Sequence, residues 1–332
     1  MSWVNQFKYD PIKALKNSGN QAIQYFVRRL LGENVPSISQ VWELQEVQDI
    51  LKKQKANGAF KHYKRKNVFP NHHHDLVEAW KGFRLLVNRY KLTKEHPKGE
   101  KAAEFIFSCQ TEEGDIRGMI GNQYATYYTG AMMAILIKAG YANDPRIDNG
   151  FQWLLRMRHT DGGWTVPIQT YDLTRDKKNK ITSEYAEPLE PKKEQPSSRI
   201  ATDMVLRAFA RDPLNRYPGI ARQAGSLLKS WFFKPDHYSS YKSAHYWTRF
   251  AFWWPNLKTA LDSLSLLGFS REDPDIKKAL DWFIEHQKPN GLWDLTYKNE
   301  KSGFKDTQKN RVRRWWLALD ICEIFKRFFS NS

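Results

Sequence analysis

His72, His73 and His74 run directly into Asp75, a grouping of the residue types that bind divalent metal. Three consecutive histidines cannot all face one ion, so a metal site there needs His74 or Asp75 together with ligands from elsewhere. Histidines of a solvated loop that caps a helix are the simpler reading. Downstream, Asp115 and Arg117 are spaced for an ion pair that fixes a loop, and Tyr124, Tyr127 and Tyr128 follow. Helical spacing would put Tyr124 and Tyr128 (or Tyr127) on one face, two rings able to line a cavity. The run HYWTRFAFWWPN, from His245 to Asn256, adds Tyr246, Trp247, Arg249, Phe250, Phe252, Trp253 and Trp254. Arg313, Arg314, Trp315 and Trp316 stand together further on. If these segments meet, they form an aromatic pocket rimmed by Arg199, Arg249 and Arg313. Aromatic walls suit an isoprenoid or polycyclic ligand, and arginine suits a diphosphate or carboxylate. The competing role for each ring is to fill a core.

The elements that would carry these residues are helical. The chain has 332 residues, 41% hydrophobic and 14% aromatic, enough for a large core with rings left over for a cavity wall. No apolar run approaches the roughly 20 residues of a membrane span, and the best, Ala131 to Ala139, reads as a buried helix. The first residues, MSWVNQFKYD, lack the basic-then-apolar layout of a signal peptide, so a cytoplasmic protein is expected. The two cysteines, Cys109 and Cys322, cannot make a disulfide framework and fit buried helical positions. A net charge of +17 is spread along the chain without a nucleic-acid motif, so no nucleic-acid partner is expected. Such a surface would favour an anionic membrane face, contacted peripherally, or a diphosphate-bearing substrate.

Internal periodicity organises the chain. KAAEFIFSCQTEEGDI from Lys101 matches KALDWFIEHQKPNGLW from Lys278 in a basic–Ala–x2–aromatic–x4–Gln–x3–Gly–x–apolar pattern. NGFQWLLRMRHTDGGW from Asn149 is a third copy, with Arg158 in the glutamine place. ILKKQKANGAF, from Ile50 to Phe60, is a fourth, weaker one. In each, an amphipathic helix stops at Gly58, Gly114, Gly162 or Gly291, where a residue without Cβ accepts positive φ. Phe60, Ile116, Trp164 or Trp293 then packs back over the helix end. Gln54, Gln110 and Gln287 are candidates to bridge the carbonyls that helix ends leave open.

More apolar helices lie between these, over about 75–90, 124–139, 198–210, 257–267 and 312–328. A further helix covers about 11–31, and another at 218–232 has lost its Gly–aromatic end. About eleven to twelve helices, alternating outer and inner, predict an all-α single domain, an (α/α)6 toroid. The stretch 171–197, rich in Lys, Glu, Pro and Asp, reads as a loop inserted near the barrel mouth.

The repeat resembles the QW motif of squalene–hopene and oxidosqualene cyclases, over roughly residues 40 to 330. Related toroids include class II diterpene cyclases and protein prenyltransferase β subunits. In that superfamily the motif ties outer helices together and implies architecture, not chemistry. Class II cyclases open an inner helix with Asp-x-Asp-Asp-Thr-Ala, whose acid protonates an alkene or epoxide before aromatic rings stabilise the cations. The matching stretch here is SSRIATDMVLRAF, with Thr202 in the Thr place and Ser198, Arg199, Ile200 and Ala201 where the acids would be. Asp203, two residues beyond, is the candidate substitute acid, with Tyr128 as its catalytic companion; a first-turn helix acid is the bland reading. The zinc pair of prenyltransferases, Asp-x-Cys, is echoed by Asp320 and Cys322, but no later histidine follows and i, i+2 residues on a helix face apart.

The resemblance thus implies a terpenoid cyclase- or prenyltransferase-like protein with a hydrophobic, isoprenoid-type ligand, acting as a non-standard cyclase. Tyr124, Tyr127, Arg199, Trp247, Arg249, Phe250, Arg313 and Trp315 are its candidate ligand-binding residues. No cofactor or metal is implied, except Mg2+ with a diphosphate substrate, and no partner subunit is specified. The alternatives are a non-catalytic toroid that binds lipid or a protein, and a carbohydrate-active (α/α)6 enzyme, whose mark would be two carboxylates about 5–10 Å apart in an open groove.

Overall fold

The computed structural model describes residues 3–62, 69–238, 242–250, 254–298, 301–302 and 305–330. Its first helices are α1 (Pro11–Lys16), α2 (Gln21–Leu30), α3 (Ser39–Trp42), α4 (Gln45–Leu51) and α5 (His73–Tyr90). α6 (Pro97–Phe107), α7 (Thr126–Leu136), α8 (Pro145–Arg156), α9 (Arg175–Ser183) and α10 (Arg199–Ala210) follow. The last are α11 (Pro218–Ser230), α12 (Leu257–Leu266), α13 (Pro274–Glu285) and α14 (Gln308–Ser330). Strand β1 (Met119–Asn122) and the antiparallel pair β2 (Tyr297–Lys298) and β3 (Lys301–Ser302) are too short to change the class. The fold is all-α, of the α/α-toroid type that the repeat predicts.

Two expectations about elements are corrected. The helix expected over 11–31 is two helices, because Gly19 takes a φ of 68° and Asn20 caps α2 by accepting from the Ile23 N–H. The insertion is not a bare loop: α9 lies within it, capped by Thr174 Oγ1, which accepts from Lys177 N–H. None of the residues of α9 is buried.

The chain forms two compact units, residues Met1–Leu44 with Gly225–Ser332, and Gln45–Ala224. In the first, α14 packs on α1, α2 and α12 around Leu15, Ile23, Trp293 and Phe325, each no more than 2% exposed. Lys326 donates to the Leu30 carbonyl and Arg327 pairs with Asp262, so the surface flanks of the helices are fastened too.

In the second unit, outer helices α6 and α8 are amphipathic, burying Ala102, Phe105 and Ile106, or Ile147, Phe151 and Trp153. α7 and α10 differ. Every residue of α7 except Tyr127 and Tyr128 is buried, as is every residue of α10 except Arg207 and Ala210. A helix apolar all round is one surrounded by protein. The two lie backbone to backbone: a Cβ added at Gly130 would sit 2.5 Å from Val205 Cα. α5 packs against α7 as well, so α5, α7 and α10 make one inner wall. The 171–197 stretch folds onto β1 within this same unit.

Candidate functional site

The repeat turns set the frame. Gln110 Nε2 donates to the Gly114 carbonyl and to the Arg146 carbonyl, both at 2.8 Å, joining the end of α6 to the start of α8. Gln54 Nε2 does the same for Gly58 (3.1 Å) and Lys98 (2.8 Å), and Gln287 for Gly291 (3.0 Å) and Tyr9 (2.8 Å). Arg158, in the glutamine place, donates to the Gly162 carbonyl at 2.9 Å and to Gln223 Oε1 at 2.8 Å. A primary amide has two N–H donors and so can serve two carbonyls at once. Trp164 and Trp293 each close their turn by an indole N–H donated at 2.6 Å to the carbonyl ten residues back, Leu154 and Phe283. In the degenerate unit an ion pair takes over: Lys229 of α11 reaches Asp273 (3.0 Å) and Asp275 (3.1 Å) at the start of α13.

One of these turns positions the candidate acid. Trp164 N–H donates to Thr202 Oγ1 at 3.0 Å, and Ser198 N–H to the Trp164 carbonyl at 2.9 Å, which fixes the first turn of α10. Ser198 itself is the N-cap, its hydroxyl accepting from Ile200 and Ala201. Asp203 then points into the interior, 0% exposed, where Arg207 one turn on donates to its Oδ2 at 3.1 Å. On the other two helices of the wall, Trp80 of α5 stands edge-on to Tyr128 of α7 with centroids 6.3 Å apart, and the Tyr127 ring centre lies 4.3 Å from that of Tyr128. The Arg84 guanidinium lies 5.3 Å from the Trp80 ring centre. Burial, with Arg207 and Arg89 nearby, pushes Arg84 down to about 10. One wall therefore carries a carboxylate, two guanidiniums and three aromatic rings.

Other expected residues are placed differently. Tyr124 does not share a face with Tyr128, because α7 begins at Thr126 and Tyr124 belongs to the preceding loop. Its hydroxyl donates to Glu113 at 2.7 Å and its ring packs on Trp153 and under Arg117. Asp115 and Arg117 form the expected pair, with two donated bonds at 2.8 and 2.9 Å. Arg199 is 1% exposed at the start of α10. In the other unit, Trp247 is 0% exposed and its indole donates to the Lys234 carbonyl at 2.9 Å. Phe250 packs on Trp282, Phe283 and Tyr297, so both rings serve as core. Arg249 lies over Tyr246, and Arg313 and Trp315 are half-buried on α14. Phe252 and Trp253 lie outside the described residues.

His73 Nδ1 contacts the Gly118 carbonyl at 2.7 Å and His72 Nε2 the Arg117 carbonyl at 3.2 Å, while Asp75 is paired with Lys55 at 2.6 Å. No group of metal-binding side chains converges among the described residues. Burial raises the Cys109 thiol to about 12 and Cys322 well above its ordinary range, and Asp320 pairs with Lys258. Neither sulfur is poised as a thiolate. Two surface hollows, of about 550 Å3 beside Phe233, Lys278 and Trp282 and about 270 Å3 beside Tyr25, Arg28 and Val41, contain none of the expected ligand-binding residues.

Sequence reasoning missed Trp80, Arg84 and Arg207. Their signal was present: Trp80 and Arg84 are four residues apart on a helix expected to be inner, and Arg207 is four residues after Asp203. What was absent was any way to know which face of each helix meets the next.

A family model for the squalene-hopene cyclase C-terminal domain matches residues 82–186. A squalene–hopene cyclase of Bradyrhizobium diazoefficiens is 23% identical over 184 residues, covering 54% of this chain and 26% of that protein. The chain thus spans about a quarter of the length of that relative. Among solved structures, a polysaccharide lyase has a TM-score of 0.43 at 10% identity, covering 95% of this chain and 96% of its own. The type II terpene cyclase MstE from Scytonema, in complex with geranylgeranyl dihydroxybenzoate, has a TM-score of 0.38 at 12% identity, covering 96% and 99%. With four Gln/Arg–Gly turns, three closed by an aromatic residue and one by Ile116, and a squalene–hopene cyclase C-terminal domain model on the segment that includes α6 to α8, this chain is a terpenoid cyclase-like α/α toroid.

Proposed function

We propose that this chain binds an isoprenoid or similarly hydrophobic small molecule against the inner wall of α5, α7 and α10. The observation that carries this reading is the clustering of Trp80, Tyr127 and Tyr128 on the packed helices α5 and α7, with α10 and its fully buried Asp203 packed against α7. Aromatic rings bury apolar surface and offer π faces to any cationic centre that forms on a polyene. The absence of carboxylates at 198–201 speaks against alkene protonation from the family's own position. Arg207 holds Asp203 as an ion-pair acceptor, which suits stabilising positive charge better than delivering a proton.

A catalytic reading has one observation in its favour: Asp203 and Tyr128 both stand on this wall, on elements fixed by the Trp164–Thr202 link and the Gly130 contact. The two readings separate in one experiment. Protein purified from cells is extracted and the extract analysed by mass spectrometry, for wild type, Tyr128→Ala and Asp203→Asn. A prenyl compound held by wild type and lost from Tyr128→Ala supports binding at this wall. Its accumulation, uncyclised, on Asp203→Asn but not on wild type supports catalysis. Wild-type protein carrying no prenyl compound, and taking up none from a supplied mixture, overturns both.

A further inference from the structure

The chain over 171–190 is fastened down without being packed in. None of these residues is buried, whereas Thr170 before them and Pro191 after them are. The two ends are tied to each other: the Tyr171 hydroxyl donates to the Glu190 carbonyl at 2.9 Å, and Lys192 N–H donates to Thr170 Oγ1 at 3.2 Å. Beyond the second end, Asp161 accepts from the N–H (2.8 Å) and the hydroxyl (2.9 Å) of Ser197, which roots the chain just before α10. The middle is held at a separate place. Gln123, 1% exposed, donates to the Ala186 (3.3 Å) and Glu187 (3.0 Å) carbonyls and accepts from the Leu189 N–H (3.1 Å). Phe69 N–H donates to the Ser183 carbonyl at 3.3 Å, and its ring meets that of Tyr185 edge-on at 5.5 Å, although Tyr185 is 63% exposed. Both holding points are approaches to the inner wall: Phe69 stands four residues before α5 and Gln123 three residues before α7. The first turn of α7 carries Tyr127 and Tyr128, the two residues of that helix that are not buried. A segment held by hydrogen bonds, with no buried side chain, opens locally far more readily than the core beneath it. A compact loop whose ends adjoin can do so as one unit.

We infer that 171–190 is a gate. It swings on the paired ends at Tyr171 and Glu190, and Gln123 is the latch that holds it across the starts of α5 and α7. The inference rests on the ligand-binding reading above and adds how that wall is reached: releasing the latch uncovers the end where Tyr127 and Tyr128 lie.

Deuterium exchange of the ligand-free protein reads the latch, and stopped-flow tryptophan fluorescence with farnesol reads the gate. Gln123→Ala removes three bonds to the strap. It is expected to speed exchange within 176–190 by about tenfold or more, with α8 changed by less than about twofold. Farnesol should associate and dissociate about fivefold or more faster with Kd held within about threefold, since a gate changes the path and not the bound state. Tyr185→Ala, a surface change, should speed exchange of the same amides about two- to threefold. Near-ultraviolet circular dichroism confirms folding, and if Gln123→Ala does not fold, Tyr185→Ala decides by the same comparison. Exchange unchanged in both variants overturns the latch and leaves the ligand-binding reading intact. Faster exchange with unchanged farnesol rates overturns the gate and likewise leaves that reading intact. Wild-type protein that binds neither farnesol nor geranylgeraniol overturns the reading and the gate together.

Discussion

Gln287 and Tyr9 are 278 positions apart and hold each other by two hydrogen bonds: the Gln287 amide donates to the Tyr9 carbonyl at 2.8 Å and accepts the Tyr9 N–H at 3.0 Å. The same amide also serves Gly291, so one side chain joins the turn after α13 to the approach to α1. Gln287 is only 5% exposed, and its removal would leave buried backbone groups unsatisfied. Gln287→Ala is expected to destabilise by about 2–3 kcal/mol. Gln24→Ala, which removes an exposed bond to the Lys16 carbonyl, should cost about 0.5 kcal/mol or less. Urea unfolding of both variants checks the contrast, and equal losses would show that the repeat glutamines are not structural ties.

Gly114 is required for two reasons that can be separated. Gly114 has a φ of 104°, and a Cβ there would lie 2.3 Å from the Asn149 carbonyl oxygen, which belongs to the next outer helix. Gly32 has a φ of 75° with nothing within 4 Å of its absent Cβ. Gly32→Ala therefore meets only the backbone cost of positive φ, about 1 kcal/mol. Gly114→Ala adds a backbone collision that neither helix can relieve alone, for about 3–5 kcal/mol in total. Thermal melting distinguishes them, and a Gly114→Ala protein as stable as Gly32→Ala would mean that α6 and α8 can part without loss.

The repeat was readable because its physics is local. A helix end, a positive-φ glycine and an aromatic lid lie within about 15 residues, so their spacing survives in the sequence. The wall of α5, α7 and α10 was not readable in the same way. Tyr124 looked like a partner of Tyr128 by helical spacing, but the helix starts two residues too late for the period to apply. Trp247 looked like pocket lining, yet its indole reaches a carbonyl thirteen residues back, a tertiary bond with no sequence signature. The α9 helix was missed because it buries nothing, so no apolar period marks it and only its Thr174 cap and Asp176 announce it.

Acid should loosen one corner of the second unit in a predictable window. Burial alone would raise the Glu113 carboxyl, but donors from Arg117 (2.8 Å), Tyr124 (2.7 Å) and Arg156 prevail and hold it at about 2, below its ordinary 4.5. A carboxyl depressed on folding contributes stability that is complete above its unfolded value and is lost as pH falls through its folded one. The loss thus runs from about pH 4.5 to about pH 2. Glu113 is 36% exposed, so water screens the pairs and the contribution is held to about 1 kcal/mol. Glu113→Gln should lower stability at neutral pH by that amount and flatten the acid limb relative to wild type. Parallel stability–pH curves for the two proteins would exclude this role.

The Asp203–Arg207 pair tests whether the inner wall is kept for structure or for what it binds. Asp203 is 0% exposed and the Arg207 side chain 15%, and a largely buried pair broken on one side leaves an uncompensated charge. Asp203→Asn should therefore cost about 3 kcal/mol. Replacing both, Asp203→Leu with Arg207→Met, removes the two desolvation penalties together and should recover most of that loss. If the pair existed for stability, the double variant would remain the poorer protein. If it is retained for a ligand, the double variant should fold at least as well as Asp203→Asn while losing the prenyl compound proposed for wild type. The decisive comparison is ligand content at matched stability, measured by melting and by mass spectrometry of the same preparations. A double variant that is stable and still fully loaded would show that neither side chain faces the ligand, and the site would have to be sought on another wall.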